Sequence, residues 1–273
     1  KDYLKVQHDF PISRRLKNDD WFDFGTVSTF QLSRRFLLAS RVFNTFTVDG
    51  RILKKNSADS TKLKREWLWY KNWPDGLRGY TPQTFGFEGN DAVGYCIEYL
   101  PLSSLADILV FGNHSENYIK NLVRPIFKYL TAAMNFANAN VGSVDYSSIN
   151  SQKFFLYCDK VEKRLSEYPD FLDLDTEYTV NGTKYPSVRK IAKNCGDICT
   201  KSETGINLYH GDLCLSNMLF DFRLMDLKLI DPRGIDSRED LIQDRLYDFA
   251  KLSHSIFGSY DLINLGRYSI LFS

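Results

Sequence analysis

The sequence predicts an α+β fold of two lobes, in which a small antiparallel β lobe precedes a mainly helical one. Strand-like segments flank an Asp49-Gly50 turn signal, and an apolar 3.6-residue repeat runs from residue 117 to residue 139. The 273 residues, 43% of them hydrophobic, are enough for one large domain or two modest lobes. We expect an N-terminal extension at residues 1–35, the β lobe at 36–101 and the helical lobe at 102–273.

The β lobe is expected to contain a hairpin, a helix and a further strand. Residues 42–48 (VFNTFTV) are rich in β-branched and aromatic side chains, and residues 51–55 (RILKK) can form the return strand. The repeat in TKLKREWLWYKNW predicts a helix that starts near Ser60 and ends before Pro74. The segment YCIEYL at residues 95–100 predicts the strand that closes this lobe.

The helical lobe is expected to begin with a short helix after Ser103-Ser104. The apolar repeat at residues 117–139 predicts a long helix, and a second helix is predicted over residues 151–167. Within YTVNGTKYP, the Asn181-Gly182 pair predicts a small hairpin.

Composition excludes several classes of partner. The 35 basic and 34 acidic residues give a net charge of +1, so no overall field favours nucleic acid or an anionic membrane. No apolar run approaches the roughly 20 residues of a membrane span.

We infer a reducing cytoplasm and expect neither a disulfide framework nor a zinc site, because the cysteines lack paired C-x-x-C spacing. The five cysteines are Cys96, Cys158, Cys195, Cys199 and Cys214.

The most informative segment is LYHGDLCLSNMLFDFRLMDLKLIDPRG at residues 208–234. It contains His-x-Asp, an Asn five residues after that Asp, and an apolar run that ends in Asp231. Phosphoryl transfer needs a carboxylate that orients a hydroxyl and accepts its proton, which suits Asp212. It also needs oxygen ligands for magnesium, which Asn217 and Asp231 can supply.

This pattern resembles the catalytic loop of the aminoglycoside phosphotransferase and choline kinase superfamily. The resemblance implies a kinase-like fold and an ATP- and Mg²⁺-dependent transfer of phosphate to a hydroxyl of a small molecule. The acceptor would be a sugar, a polyol or an amino alcohol.

The segment QDRLYDFAKLSHS is similar to the Y-D-x-A-K helix of the same superfamily. The resemblance implies that Asp248 supports the catalytic loop from behind; the alternative is an ordinary acid at a helix N-terminus. His210 would anchor the loop without transferring protons. Arg233 could bind a phosphate or pair with a carboxylate at the surface.

The superfamily also places a strand lysine on the nucleotide phosphates and fixes it with a helix glutamate. Lys54 follows two apolar residues, as that lysine usually does, and is favoured; Lys55 is the competing candidate. Glu66 is the expected glutamate, and its alternative is a solvated charge on the helix surface.

Two further parts of the expected nucleotide site are less distinctive. Residues 97–100 (IEYL) resemble the hinge between kinase lobes, where the backbone of Glu98 and Leu100 would bond the adenine edge. No G-x-G-x-x-G precedes the hairpin, so the phosphate-covering loop is represented only by Ser40 and Arg41 as possible donors.

The two ends suggest a larger enzyme. The segment WFDFGTVSTFQLSRR at residues 21–35 resembles the end of sugar-nucleotide nucleotidyltransferase domains; the alternative is a strand and turn that decorate the β lobe. The resemblance implies a fused or associated nucleotidyltransferase in capsule or surface-polysaccharide biosynthesis. We also expect the helical lobe to continue beyond Ser273.

Two other functions compete with the small-molecule kinase. One is a catalytically silent nucleotide-binding module of a larger biosynthetic protein, although the expected site residues are all chemically intact. The other is a protein kinase, which residues 232–247 make less favourable because this stretch is short for a peptide-docking platform.

Overall fold

The computed structural model describes most of the chain after residue 43. It covers residues 25–26, 29, 33, 44–88, 94–167, 173–203 and 205–269, without the side chains of residues 44, 88 and 143. Ser40, Arg41 and most of the segment at residues 21–35 lie outside the described residues.

An antiparallel sheet of four strands, in the order β1-β2-β4-β3, forms the first described part. β1 (Asn44–Asp49) and β2 (Ile52–Ser57) confirm the predicted hairpin, and Gly50 turns the chain with a φ of 55°. β3 (Thr84–Glu88) lies at the edge of the sheet beside β4 (Gly94–Glu98). β4 confirms the strand predicted at residues 95–100, although it begins at Gly94 and ends at Glu98.

The helix predicted after the hairpin is α1 (Ser60–Asn72), which packs on β2, β3 and β4. The Asp59 carboxylate caps it by accepting the Lys62 backbone N–H at 2.9 Å. Trp67 and Tyr70 pack on the sheet, with ring centroids 6.4 and 5.7 Å from that of Tyr95 on β4. These aromatic contacts hold α1 against the sheet.

Helices dominate the next part of the chain. The short helix predicted after Ser103-Ser104 is α2 (Leu105–Phe111), and the Ser104 hydroxyl caps it at 3.0 Å from the Asp107 backbone nitrogen. α3 (Glu116–Ala139) confirms the long periodic segment.

The next predicted helix differs from the structure in start and in form. α4 (Tyr146–Phe154) continues through a π-helical turn at Phe155–Asp159 into α5 (Lys160–Ser166). The prediction over residues 151–167 was therefore wrong at its start. The helix starts earlier because the Asp145 carboxylate caps it by accepting the Ser147 and Ser148 N–H groups at 2.9 and 3.2 Å. The π turn interrupts the 3.6-residue repeat inside the predicted range.

A small hairpin and a further helix follow. β6 (Tyr178–Val180) and β7 (Thr183–Tyr185) confirm the predicted Asn181-Gly182 turn, whose two residues have φ values of 50° and 75°. α6 (Val188–Lys201) comes next and begins at the Ser187 cap.

Short antiparallel strands then frame the motif-rich segment. One pair joins β8 (Ile206–Leu208) to β11 (Ile242–Asp244). A second small sheet has β10 (Asp226–Leu229) and β5 (Ser103–Ser104) on either side of β9 (Met218–Asp221). The described chain ends with the helices α7 (Arg245–Ile256) and α8 (Tyr260–Asn264).

One cluster of buried apolar side chains joins α1, α3 and the strands β8 to β10. Trp69, Tyr129 and Phe220 are among its largest members. The fold is mixed α and β with small antiparallel sheets, as the sequence predicted. None of the helices in the described part of the chain is long and apolar enough to cross a membrane.

Candidate active site

The segment after β8 is held from behind by a buried carboxylate on α7. The two oxygens of Asp248 accept the backbone N–H groups of His210 and Gly211 at 2.9 and 2.7 Å. Asp248 is only 1% exposed, and this burial raises its pKa to about 7, while the two amide donors favour the ionised form. The structure thus places Asp248 directly against the loop that carries Asp212.

His210 is packed against α1 and bonded to its own loop. The ring is fully buried and meets the Trp69 ring edge-on with centroids 5.4 Å apart, and its Nδ1 accepts the Asp212 backbone N–H at 3.3 Å. Burial lowers the pKa of His210 to about 4, so the ring is neutral at neutral pH. These contacts hold the loop in place and give His210 a structural role.

Gly211 makes the turn that projects Asp212 into the cleft. Its φ of 79° lies in the left-handed region, and a Cβ there would come within 2.6 Å of atoms in both Tyr209 and Arg233. A side chain at this position would therefore displace the loop.

Asp212 is held by two neighbours. The Asn217 amide nitrogen donates to the Asp212 carbonyl at 2.9 Å and to its carboxylate Oδ2 at 3.1 Å. The Lys251 ammonium lies 2.7 Å from the other carboxylate oxygen, and although burial opposes its charge, Asp212 raises the pKa of Lys251. The carboxylate is about one-third exposed and so remains open to the cleft.

Lys251 was missed in the sequence, although a signal was present. It is the lysine of the Y-D-x-A-K segment, three residues after Asp248. Residues three apart on a helix share a face. One face of α7 therefore carries both the carboxylate behind the loop and the cation beside Asp212.

Asp231 comes shortly after β10. The residue before it, Ile230, donates its backbone N–H to the Asn217 carbonyl at 3.0 Å, so the chain segments of Asp231 and Asn217 lie side by side. Asp231 adopts a φ of 55°, which is uncommon for a residue other than glycine and recurs at functional sites. The structure thus brings together the two residues predicted as magnesium ligands.

A buried lysine joins this segment to α1 and the sheet. The Lys55 ammonium lies 2.6 Å from a Glu66 oxygen and 2.6 Å from an Asp231 oxygen, and the Tyr95 hydroxyl donates to the same Glu66 oxygen at 2.8 Å. The side chains of Lys55 and Glu66 are 3% and 0% exposed. Burial opposes the charge on Lys55, but the two carboxylates outweigh it and raise its pKa.

This contact corrects the preference for Lys54 as the partner of Glu66. Lys55 pairs with Tyr95 across β4, while Lys54 pairs with Cys96. Successive strand residues point to opposite faces, so Lys54 lies on the face away from Glu66. The preference relied on the two apolar residues before Lys54, which do not determine which lysine faces α1.

The expected hinge lies at the end of β4. The Glu98 N–H donates to the Gln83 carbonyl at 2.8 Å, and the Glu98 carboxylate accepts the Gln83 N–H at 3.3 Å. The Tyr99 N–H donates to the Arg51 carbonyl at 2.8 Å. Leu100 follows this ordered segment, half-buried, while the other expected nucleotide contacts, Ser40 and Arg41, lie outside the described residues.

Asp212 and Asp231 open onto a cleft of about 1160 Å³. Its walls come from the N-terminal part of α1, from α4 and α5, and from residues 231–236. Gly234 lies where residues 231–236 pass close to α1. A Cβ at this position would come within 2.5 Å of the Glu66 backbone nitrogen. The cleft is large enough for a small ligand.

The residues beside Asp231 suit a magnesium ion bound together with a nucleotide. The Asn217 amide nitrogen is already bonded to Asp212, which leaves its oxygen as the atom that can coordinate a cation. Mg²⁺ in such sites commonly takes one or two carboxylates and completes its shell with phosphates and water. A group of three or more His, Cys, Asp or Glu side chains suited to a metal is absent from the described residues.

Comparison with known proteins adds no relative: no family model matches the chain, and no curated protein matches it. The resemblance to small-molecule kinases therefore remains a prediction from residues 208–251.

The buried ion pair predicts unequal effects of two neighbouring lysines on stability. Lys55→Met leaves the Glu66 charge buried without its cation, so we expect it to lower the free energy of unfolding by about 3–5 kcal/mol. Lys54→Met is the matched control and should cost less than about 1 kcal/mol. The double variant Lys55→Met/Glu66→Gln should recover part of the loss. Urea denaturation of the four proteins measures these values, and a larger cost for Lys54→Met would contradict the assignment.

The carboxylate behind the loop predicts a second stability effect. Asp248→Ala leaves the buried His210 and Gly211 N–H groups without an acceptor. We expect it to lower the free energy of unfolding by about 1–3 kcal/mol for each group. Asp248→Asn retains one acceptor oxygen and should cost less. Asp197→Ala removes an exposed carboxylate from α6 and should stay within about 0.5 kcal/mol of the wild type. Equal unfolding midpoints for all three variants would show that Asp248 does not support the loop.

Proposed function

We propose that this protein is an ATP- and magnesium-dependent phosphotransferase whose acceptor is a hydroxyl group of a small molecule. The observation that carries the proposal is the double ion pair of Lys55 with Glu66 and Asp231, whose two carboxylate residues line the same cleft as Asp212. Residues far apart in sequence converge there in the combination that phosphoryl transfer requires.

The architecture supports a kinase-like, two-lobed arrangement for the same chain. A four-stranded antiparallel sheet with α1 packed on it precedes a mainly helical part, and the catalytic residues lie in segments that contact both. The end of β4 would then serve as the hinge, where the backbone of Glu98 and Leu100 contacts the adenine.

In this proposal the nucleotide phosphates and magnesium are held by three residues. Lys55 would contact the phosphates, and Asn217 and Asp231 would coordinate the metal. Glu66 keeps the Lys55 ammonium in place, because a lone cation would be costly to bury. When bound, ATP would supply the phosphoryl group, and magnesium would offset the negative charge of its phosphates.

Asp212 orients the acceptor hydroxyl and takes its proton. The acceptor oxygen forms a bond to the γ-phosphorus while the bond from that phosphorus to the β,γ-bridging oxygen breaks, so ADP leaves with the bonding electron pair. Each Asp212 oxygen already accepts one contact, from Lys251 or Asn217, and a carboxylate has room for further donors. Both neighbours fix the direction in which Asp212 receives the proton.

The proposal predicts transfer to small alcohols. The purified protein with magnesium and labelled ATP should phosphorylate at least one member of a panel of sugars, polyols and other small alcohols, and it should not label a peptide library. The Asp212→Asn variant is the control for contaminating kinases. Labelled peptide without any small-molecule product would indicate a protein kinase, and nucleotide binding without any transfer would indicate a silent module.

The mechanism also predicts different defects for the two aspartates. Asp212→Asn removes the proton acceptor, so turnover should fall by roughly 10²–10⁴-fold while magnesium–ATP affinity is nearly unchanged. Asp231→Asn replaces an anionic metal ligand with a neutral one, so it should need more magnesium and bind magnesium–ATP more weakly.

Magnesium titrations of nucleotide binding and of turnover distinguish these defects. Asp236→Asn, an exposed carboxylate on the same cleft, is the matched control and should behave as the wild type. Loss of metal-dependent binding in Asp212→Asn, with binding retained in Asp231→Asn, would reverse the two roles.

A further inference from the structure

Two cations share one aromatic ring on the α5 side of the cleft. The Lys160 ammonium donates to the Tyr247 hydroxyl at 3.1 Å and lies 5.7 Å from the ring centroid. The Arg233 guanidinium lies 5.0 Å from the same centroid. We call these three side chains the Tyr247 cluster.

Neither cation of the Tyr247 cluster forms an ion pair with a carboxylate in the part of the chain that the structure describes. The Arg233 Nε donates to the Gly211 carbonyl at 3.3 Å, and Lys160 bonds to a phenol. The third nearby cation, Lys251, is engaged by Asp212. Three cations, Lys160, Arg233 and Lys251, therefore surround Tyr247 against two carboxylates, Asp212 and Asp248, so positive charge exceeds negative charge around this ring.

The positive charges of the Tyr247 cluster repel each other, and a bound anion would offset this repulsion. Burial, followed by repulsion from Arg233 and Lys251, lowers the pKa of Lys160 to about 8, although attraction to Asp212 opposes the shift. Two like charges on one half-buried ring repel each other, and a negative group between them would reverse that effect. Arginine presents a planar pair of donors that matches carboxylate and phosphate oxygens.

The cluster adjoins the catalytic loop. The Arg233 backbone N–H donates to the His210 carbonyl at 2.9 Å, and its side chain contacts the next carbonyl, so Arg233 is bonded to both residues before Asp212. Lys160 lies at the start of α5, in the cleft wall that faces these residues. A ligand whose hydroxyl approaches Asp212 can therefore place another of its groups on the cluster.

We propose that the acceptor is an anionic alcohol, and that Lys160 and Arg233 bind its phosphate or carboxylate group. The inference rests on the proposed function, because it names the class of molecule that the phosphotransferase would accept. Like-charge repulsion from the cluster disfavours amino alcohols, whose ammonium group would meet Lys160 and Arg233. The Tyr247 cluster thus selects the acceptor by its charge, whereas Asp212 takes the proton of the acceptor hydroxyl.

Steady-state kinetics test the acceptor class. Glycerol, glycerol phosphate, glyceric acid and ethanolamine carry similar hydroxyl groups but differ in charge. We expect kcat/KM to favour the two anions by about tenfold or more, which corresponds to about 1.4 kcal/mol. Lys160→Gln and Arg233→Gln should each lower this preference, mainly through KM. Lys120→Gln, on an exposed face of α3, removes the same charge as Lys160→Gln and should keep it.

Calorimetric binding of inorganic phosphate and of magnesium–ATP separates this inference from the proposed function. Lys160→Gln and Arg233→Gln should each weaken phosphate binding by about tenfold and change magnesium–ATP affinity by less than about twofold. Equal weakening of magnesium–ATP binding would assign the cluster to the nucleotide and overturn the inference, as would phosphate binding that is absent or unchanged in the variants.

The remaining outcomes are also distinct. Efficient transfer with a preference for glycerol or ethanolamine would overturn the anionic acceptor while supporting the phosphotransferase. Phosphate binding that depends on Lys160 and Arg233 in a protein that neither binds magnesium–ATP nor transfers phosphate would support the anion site and overturn the phosphotransferase.

Discussion

The buried ammonium of Lys55 is the contact on which the arrangement of the site depends. It joins β2 to α1 through Glu66 and to the segment after β10 through Asp231, at 2.6 Å in each case. Removing Lys55 or Glu66 would leave the charge of the other buried without its partner, so this pair favours the observed position of α1 against β2. Gly234 lets the segment after β10 approach α1, because only a residue without a Cβ fits against the α1 backbone there.

A second set of buried polar contacts positions the loop that carries Asp212. Asp248 holds two of its amides, and the Trp69 indole N–H donates to the Tyr209 carbonyl at 2.5 Å. Both partners come from helices that pack against the core, α1 through Leu63 and α7 through Leu252, so the loop takes its geometry from rigid elements. The same burial lowers the pKa of His210 to about 4, which disfavours protonation of its ring and fits the structural role predicted for it.

Local patterns in the sequence predicted the hairpin, α1, α3 and the small hairpin at Asn181-Gly182, because each depends on neighbouring residues. They failed where the outcome depends on three-dimensional contacts. The choice between Lys54 and Lys55 follows from which face of β2 meets α1, and the π turn before α5 follows no regular repeat. Lys160 was not identified because it meets Tyr247 only in the fold, whereas Lys251 could have been found from its spacing to Asp248.

The distribution of charge in the cleft connects the two halves of the proposed reaction. An anionic acceptor must approach a triphosphate and the Asp212 carboxylate, and these negative groups repel one another strongly in a site from which water is partly excluded. Magnesium and Lys55 would offset the charge of the nucleotide, and Lys251 offsets that of Asp212. Lys160 and Arg233 provide the remaining positive charge at the far side of the loop. In the proposed reaction an anionic acceptor would therefore need cations in addition to magnesium and Lys55, and the Tyr247 cluster would supply them.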